Sequence, residues 1–195
     1  MVLIPADGMV TLGSAIFEAA GAPPAEAHAI ADNLVGANLA GHDSHGVVRI
    51  PRYLHWNDIG NLHFGRRAEV VIDGAAFALL DGNKGYGQSI GREAVDLGLA
   101  KAAEHGIAVV ALRRSGHLGR IGHWAEVACA EGVASIHFVN VAESQLVVPF
   151  GAAERRVSTA PVAIGVPSPD GDDFLLDFAT SKVCLLYTSP SPRDS

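Results

Sequence analysis

The sequence predicts a mixed α/β protein with a helical N-terminal lobe. Apolar residues recur at helical spacing through residues 11–58, whereas short strand-like runs alternate with helical patterns beyond Gly65. A chain of 195 residues that is 49% apolar is also long enough to bury a core. We therefore expect one ordinary globular domain, or a large domain with a smaller appendage.

Two helices open the predicted lobe. Residues 11–20 form a short helix, with Thr11 as its N-cap and Gly21 placed to stop it. Residues 25–40 form a longer helix with one broad apolar face, and Gly41 closes it.

A third helix is expected over residues 44–58. Ser44 is a candidate N-cap, because its hydroxyl can accept a hydrogen bond from a backbone N–H of the first turn. Pro51 lacks a backbone N–H and crowds the preceding turn, so the helix is expected to kink or restart there.

The chain beyond Gly65 begins with a predicted hairpin. Residues 68–74 and 76–83 are short apolar runs, and the Asp73-Gly74 pair between them is a turn signal. The next helix is predicted over 87–106, and its final glycine is expected to adopt the left-handed cap conformation.

The remaining elements predict a β-α-β unit. It consists of a strand over 107–112, a helix over 122–132 and a strand over 133–141. Two more short strands, separated by a loop rich in Pro, Gly and Asp, are expected within residues 154–181.

Composition narrows the classes of partner. The net charge is −7 and no run of Lys or Arg occurs, which argues against nucleic acid and anionic membranes as partners. No signal peptide or apolar run of membrane-spanning length is visible, so we expect a cytoplasmic protein. Cys129 and Cys184 form neither a disulfide framework nor a metal motif.

The last twelve residues, 184–195, differ abruptly in character. The stretch CLLYTSPSPRD resembles the conceptual translation of a transposase adapter used in sequencing libraries. We expect an artefactual tail there, with the natural sequence visible to about Val183. The alternative is a genuine disordered C-terminus, which a Ser/Pro-rich tail also resembles.

The stretch GHDSHGVVRIPRY carries the first candidate site. On one continuous helix from Ser44, the side chains of His45, Arg49 and Tyr53 would lie at i, i+4 and i+8, near one stripe. A forked Arg suits the carboxylate of a 2-oxo or 2-hydroxy acid, and a His titrating near neutrality suits the proton of the adjacent oxygen. Ser44 is close enough in sequence to fix the tautomer of the imidazole.

Two other interpretations of this stretch stay open. In one, Ser44 only caps the helix, His45 is an ordinary first-turn residue, and the arginines are solvated. In the other, His42, Asp43 and His45 ligate a metal, although no partner motif such as HExxH occurs.

Two further stretches carry weaker signals. The glycines of SGHLGRIGHWAEVA are spaced GxxGxxG at a strand-to-helix junction, which suits a pyrophosphate or merely permits close packing. In FLLDFATSK, Asp177 follows a short apolar strand, where the common role of an Asp is to cap a following helix.

Together these motifs resemble the type 2 malate/L-lactate dehydrogenase family of NAD(P)-dependent oxidoreductases. The resemblance rests on GHDSHGVVRIPRY, SGHLGRIGHWAEVA, VVPFGAAERRVSTAPVAIGVP and LLDFATSKV, in that order. It implies an unusual α/β dinucleotide-binding fold without the Rossmann fingerprint, of which this chain would be an N-terminal, truncated portion. Residues 1–65 would form the helical lobe and 66–183 a partial NAD(P)-binding domain.

The resemblance also implies roles for individual residues. His45 would exchange the substrate proton with support from Ser44, although in some members the histidine matching His117 is proposed as the base. The substrate contacts would be Arg49, Tyr53 and Thr159. The cofactor contacts would be His117, Leu118, Gly119, Arg120, Ile121, Asp177, Phe178 and Ala179. The family usually has Gly-Thr-Asn-Pro where this chain has Ser158, Thr159, Ala160 and Pro161.

The expected activity is hydride transfer between NAD or NADP and C2 of a small anionic 2-oxo/2-hydroxy acid. Family members use malate, lactate, ureidoglycolate, sulfolactate, diketogulonate or cyclic imino acids, and they are homodimers or larger. The alternative function is that of a non-catalytic fragment or small-ligand-binding module. A metal-dependent hydrolase is a third interpretation.

Overall fold

The computed structural model describes residues 3–141 and 146–181, so the predicted tail at 184–195 lies outside the described residues. The elements are α1 (Ala6–Ala19), α2 (Pro24–Leu39), α3 (Ile50–Asp58), β1 (Glu69–Asp73), β2 (Phe77–Asp81), α4 (Gly87–His105), β3 (Val109–Arg113), α5 (Gly122–Ala130), β4 (Ser135–Phe138), β5 (Pro161–Val166) and β6 (Phe174–Ala179). Two 3-10 turns, Asp43–His45 and Val47–Arg49, precede α3. The predicted mixed α/β class is confirmed.

The chain forms two compact units, the first ending at Trp124 and the second beginning at Ala125, within α5. This division does not coincide with the predicted one after residue 65, which stays a prediction about the roles of the two segments. In the described part of the chain, no helix is both long enough and apolar enough to cross a lipid bilayer.

The N-terminal segment is helical as predicted, with one corrected boundary. α1 begins at Ala6 rather than at residue 11, and Thr11 lies within it, donating its hydroxyl to the carbonyl of Asp7 at 2.9 Å. The N-cap prediction for Thr11 is therefore wrong, because the hydroxyl bonds back to the preceding turn. α2 matches its prediction and begins at Pro24, whose missing N–H costs nothing in the first turn.

The core of the first unit lies between these helices and the start of α4. Phe17, Ile30 and Leu34 are fully buried, and Tyr86 and Tyr53 join them. The ring of Phe64 stacks on that of Tyr86 with centroids 4.5 Å apart. This burial of apolar and aromatic surface is the main stabilising contribution in the first unit.

The first sheet has the order β1-β2-β3. β1 and β2 pair antiparallel as the predicted hairpin, with a turn in which Gly74 N–H donates to the carbonyl of Phe77 at 2.9 Å. β2 and β3 pair parallel and are connected through α4, which ends at Gly106 with the predicted positive φ of 78°. The β-α-β unit is therefore β2-α4-β3.

The predicted β-α-β unit built on β3, α5 and β4 is wrong, because β4 belongs to a second sheet with the order β4-β5-β6. Its strands are all antiparallel, and β5 and β6 are the two closing strands that the sequence predicts. Ala163 on β5 is fully buried. A Cβ at Gly165 would collide with Cys129 of α5, so the glycine allows the helix to pack closely on this sheet.

Asp81, at the end of β2, holds the adjoining loops of the first unit. Its carboxylate is 2% exposed and accepts hydrogen bonds from Arg113 Nε at 3.0 Å, Arg114 Nε at 2.8 Å and the N–H of Asn83 at 3.0 Å. Asn83, Lys84 and Arg114 all have positive φ, a conformation that costs free energy for residues other than glycine. The hydrogen bonds to the Asp81 carboxylate offset that cost. The same hydrogen bonds, above all those from Arg114, lower the pKa of Asp81 to about 2.

The first prediction concerns Asp81→Asn. Because the folded pKa of Asp81 lies below the value of about 3.9 for an unfolded chain, the carboxylate contributes stability above pH 4 and loses it as pH falls towards 2. We expect the variant to melt at a lower temperature than the wild type at pH 7, with the difference shrinking as pH falls from 4 to 2. Thermal unfolding followed by circular dichroism measures this.

Asp96→Asn is the matched control, because the ion pair of Asp96 with Arg92 is half exposed. It should change the melting temperature little at any pH. An equal loss of stability in both variants would contradict the role given to Asp81.

Candidate active site

The segment from Gly41 to Tyr53 folds differently from its prediction. The two 3-10 turns are separated by Gly46, whose backbone is extended with φ −86° and ψ −156°. α3 begins only at Ile50, with Pro51 in its first turn. The predicted continuous helix from Ser44 is therefore wrong. The capping role of Ser44 is wrong too, because Ser44 lies inside the first 3-10 turn and the residue that precedes α3 is Arg49.

Asn38, near the end of α2, holds the two 3-10 turns and the extended Gly46 between them in place. Its Oδ1 accepts the N–H of Val47 at 2.9 Å, and its Nδ2 donates to Asp43 Oδ1 at 2.5 Å. A Cβ at Gly46 would overlap the Asn38 amide, so a glycine is required where the chain passes it. Sequence reasoning missed Asn38, because its partners become visible only when the turn is known.

Ser44, His45 and Arg49 nevertheless come together. Ser44 Oγ lies 3.0 Å from His45 Nδ1, and Arg49 Nε donates to the carbonyl of Ser44 at 2.5 Å. All three side chains are partly exposed. Burial lowers the pKa of Arg49 from its usual value, with a further lowering from Arg52, while Tyr53 opposes the shift. An arginine remains charged at neutral pH even so.

His117 approaches the same cluster from the loop before α5. Its ring stacks on that of His45 with centroids 5.3 Å apart and planes 24° apart. Burial lowers the pKa of His117 to about 3, and Arg49, His45 and Arg52 add to the shift. His117 is therefore a neutral imidazole at physiological pH.

Tyr53 lies beneath this pair of histidines. Only 1% of it is exposed, and its hydroxyl is 2.8 Å from His117 Nδ1. Gln88 Nε2 donates to the same hydroxyl at 3.2 Å. Burial raises the pKa of Tyr53 to about 12, so it stays protonated. The predicted contact of Tyr53 with substrate stays a prediction, whereas its contact with His117 is direct.

Two glycines, Gly116 before the His117–Ile121 loop and Gly119 within it, allow close packing. Gly116 N–H donates to the carbonyl of Gly85 at 2.8 Å, and Gly119 has a φ of 73° and faces Asn33. Trp124 Nε1 donates to the carbonyl of Leu118 at 2.9 Å. The loop is therefore held from several sides, which fixes the position of His117.

Sequence reasoning missed Gln88 and Asn33, which are 3% and 6% exposed and support the site from below. A signal existed for Asn33, because it lies beside the buried Ile30 and Leu34 on α2. Gln88 gave none, since the first turn of a helix is a common place for a polar residue.

The second unit carries the remaining predicted residues. Thr180 Oγ1 donates to the carbonyl of Ala160 at 2.9 Å, next to Thr159, and Ala160 has a φ of 45°. Asp177 lies inside β6, in register with Ala163, so the alternative role as a helix cap is wrong. Phe178, on the opposite face of that strand, is 43% exposed.

His42, Asp43 and His45 are the residues of the alternative metal interpretation. The rings of His42 and His45 lie 6.2 Å apart at their centroids, in an edge-to-face arrangement. Within residues 3–141 and 146–181, no three His, Cys, Asp or Glu side chains are grouped closely enough to hold a metal ion.

Comparison with known proteins agrees with the motifs of this site. The family model described as malate/L-lactate dehydrogenase matches residues 4–185. The chain belongs to this family. The match includes every residue of the predicted site, from Ser44 to Ala179.

Three relatives illustrate the similarity. The chain is 44% identical to hydroxycarboxylate dehydrogenase B of Escherichia coli K12 over 88% of its length and 47% of the relative's. It is 39% identical to malate dehydrogenase of Pyrococcus abyssi over 93% of its length and 49% of the relative's. The solved sulfolactate dehydrogenase of Methanocaldococcus jannaschii superimposes with a TM-score of 0.88 at 31% identity, covering 94% of this chain and 52% of that one. The chain thus spans about half the length of the relatives it matches.

The second prediction concerns Ala160, where the family usually has Asn. Asparagine tolerates a left-handed backbone better than alanine, which loses about 1 kcal/mol there. Ala160→Asn should raise the free energy of unfolding by about 0.5–1 kcal/mol, as measured by urea denaturation. Ala153→Asn, at an exposed position without positive φ, is the control and should give no gain. A loss of stability at residue 160 would contradict the prediction.

Proposed function

We propose that this chain is part of an oxidoreductase that transfers a hydride between NAD(P)H and C2 of a small 2-oxo/2-hydroxy acid. One observation carries the proposal, which is a partly exposed cluster of Ser44, His45, Arg49 and His117. Arg49 supplies a cation to this cluster, His45 an imidazole supported by the Ser44 hydroxyl, and His117 a neutral imidazole. The names of the relatives, which specify hydroxycarboxylate, malate and sulfolactate, support the substrate class.

Arg49 is assigned to the substrate carboxylate. Its Nε is held by the Ser44 carbonyl, which orients the guanidinium, and its Nη groups are the donors assigned to the acid. A planar fork of N–H groups matches a carboxylate in two parallel hydrogen bonds. The arrangement would place the C2 oxygen of the acid on the same side as His45.

His45 is assigned to the proton. Because Ser44 Oγ contacts Nδ1 at 3.0 Å, Nε2 is the nitrogen that would give a proton to the C2 oxygen during reduction and take it back during oxidation. His117, neutral and stacked against His45, is better suited to donate a hydrogen bond than to deliver a proton. This difference favours His45 as the acid/base of the pair.

Two segments of the chain are assigned to the cofactor. In the first compact unit the assigned residues are His117, Leu118, Gly119, Arg120 and Ile121, and in the second unit they are Asp177, Phe178 and Ala179. The donor set fits: Arg120 lies two residues before Gly122, where α5 begins, and the N-terminus of this helix favours negative charge. Phe178 presents an exposed ring. The reduced cofactor, NADH or NADPH, would supply the hydride from its nicotinamide ring, and the oxidised form would accept it in the reverse direction.

The wider organisation follows the family. We assign residues 1–65 to a helical lobe that carries the Ser-His-Gly motif, and 66–183 to the portion of a non-Rossmann NAD(P)-binding domain present in this chain. We further propose a homodimer in the cytoplasm. Thr159 and Tyr53 are assigned to the substrate, together with Arg49.

A small-ligand-binding module is the second candidate function, favoured by the position of Arg49 beside Ser44, which suits the binding of an anion without turnover. Both functions require Arg49 to bind the acid, whereas only the first requires His45 to move a proton. Binding and turnover measurements on the same variants therefore distinguish them.

The third prediction concerns acid binding. Isothermal titration of malate or oxalate into the chain, with nicotinamide cofactor present, should show affinity falling roughly 10- to 100-fold in Arg49→Ala, because a charge-assisted pair is lost. Arg92→Ala removes an exposed arginine on α4 and should bind like the wild type. Equal affinity in the two variants would contradict the role of Arg49.

The fourth prediction concerns turnover, measured as oxidation of NADH or NADPH by oxaloacetate or pyruvate. The assay is run on the 195-residue chain and on a version extended to the length of its relatives. His45→Ala should lower kcat by roughly 10²- to 10⁴-fold, the usual contribution of an acid/base group. His55→Ala, which removes an exposed histidine of α3, should leave kcat unchanged. Binding without turnover in both versions would support the binding module instead.

A further inference from the structure

Gln88 is a buried polar residue in the first turn of α4 that belongs to none of the functional motifs. It is 3% exposed, and its Nε2 lies 3.2 Å from the Tyr53 hydroxyl and 3.5 Å from Asn33 Oδ1. These contacts join α4 to α3 and α2 directly below His117. The side chain is therefore placed to act on the site through Tyr53.

The direction of the hydrogen bonds follows from Gly119. Its N–H donates to His117 Nδ1 at 3.2 Å, so that nitrogen must carry a lone pair and no proton. The Tyr53 hydroxyl, 2.8 Å from the same nitrogen, must then donate its single proton to it. Because the Tyr53 hydroxyl has already donated its proton, any group that hydrogen-bonds to its oxygen has to be a donor. The amide of Gln88 is therefore oriented with its nitrogen towards Tyr53.

We infer that Gln88 is a positioning residue that, through Tyr53, holds His117 in the tautomer with its proton on Nε2. The chain of donors runs from Gln88 to Tyr53 to His117. The tautomer is a property of the folded chain, and only its use in catalysis rests on the proposed function. There, a fixed Nε2–H on His117 would be a constant hydrogen-bond donor beside His45.

The charges around His117 do not by themselves select this tautomer. Arg49, Arg52 and His45 face the ring, and each disfavours a second proton on it. They keep the imidazole neutral, yet a neutral ring can carry its proton on either nitrogen. Which nitrogen carries the proton is therefore determined by the hydrogen-bond partners of Nδ1, which are the Tyr53 hydroxyl and the Gly119 N–H.

The other end of the Gln88 amide gives independent support. Among residues 3–141 and 146–181, no group donates a hydrogen bond to Gln88 Oε1. A buried carbonyl oxygen without a partner costs free energy, which a leucine at this position would avoid. A glutamine that served stability alone would be a poor choice here, whereas one that supplies an N–H to Tyr53 is required.

The experiment is NMR of the 195-residue chain labelled with ¹⁵N in its nine histidines. Imidazole ¹⁵N shifts report the tautomer of each ring, and His117→Asn identifies the signals of His117. In the wild type we expect a single Nε2–H tautomer. In Gln88→Leu the Tyr53 oxygen loses its donor and can instead accept a proton from His117 Nδ1, so only the 3.2 Å hydrogen bond from Gly119 N–H still favours a lone pair there. In Gln88→Glu a carboxylate attracts the Tyr53 proton away from His117. Both variants should convert the single pattern into a mixture, or into the Nδ1–H form.

Ser89→Ala is the control, because it removes a hydrogen bond of the next residue, to Glu26, at 3.0 Å. It should leave the His117 pattern unchanged. The His117 pattern itself separates positioning from a structural role, because a residue that only stabilised the fold would leave the tautomer unchanged.

Two results would overturn the inference. One is an Nδ1–H tautomer of His117 in the wild type, which needs no variant to observe. The other is an unchanged His117 pattern in both Gln88 variants. Neither depends on turnover, so failure of the proposed function in the His45→Ala assay would be seen separately from failure of this inference.

Discussion

The candidate site depends on the burial of Tyr53. Its ring packs in the core of the first unit, 6.0 Å from the ring of Tyr86 and stacked on that of Trp56. Its backbone carbonyl accepts the Tyr86 hydroxyl at 3.2 Å, while its own hydroxyl reaches His117. One side chain thus joins the apolar core, which supplies stability, to the polar cluster, which supplies chemistry. Because a buried hydroxyl must be hydrogen-bonded, its partners have little freedom to move.

The same constraint explains why a broken helix still assembles the predicted cluster. Ser44, His45 and Arg49 are positioned by short-range contacts and by Asn38, whereas Tyr53 anchors the start of α3 to the core. The site is therefore built where an irregular segment meets regular helices. Such segments can place side chains that no single helix face would bring together.

Local sequence signals predicted the elements well and their pairing less well. The hairpin turn at Asp73-Gly74 and the cap at Gly106 follow from residue chemistry within a few positions. The pairing of β4 with β5 rather than with β3 depends on contacts distant in sequence, which periodicity does not encode. For the site, His45 and Arg49 were recognisable from a motif, but the Tyr53–His117 contact spans 64 positions and the Gln88–Tyr53 contact 35. Hydrogen bonds over such separations become visible only in the folded chain.

The carboxylate of Asp81 constrains which substitutions are tolerated at Arg113 and Arg114. Loss of this acid would leave Arg113 and Arg114 as adjacent like charges, with Arg114 still in a left-handed backbone conformation. A change at any one of these three positions therefore alters the fitness of changes at the other two. Across diverging family members, we expect the acid and the two bases to be kept or replaced as a group, and a glycine at position 114 to accompany a lost acid at position 81.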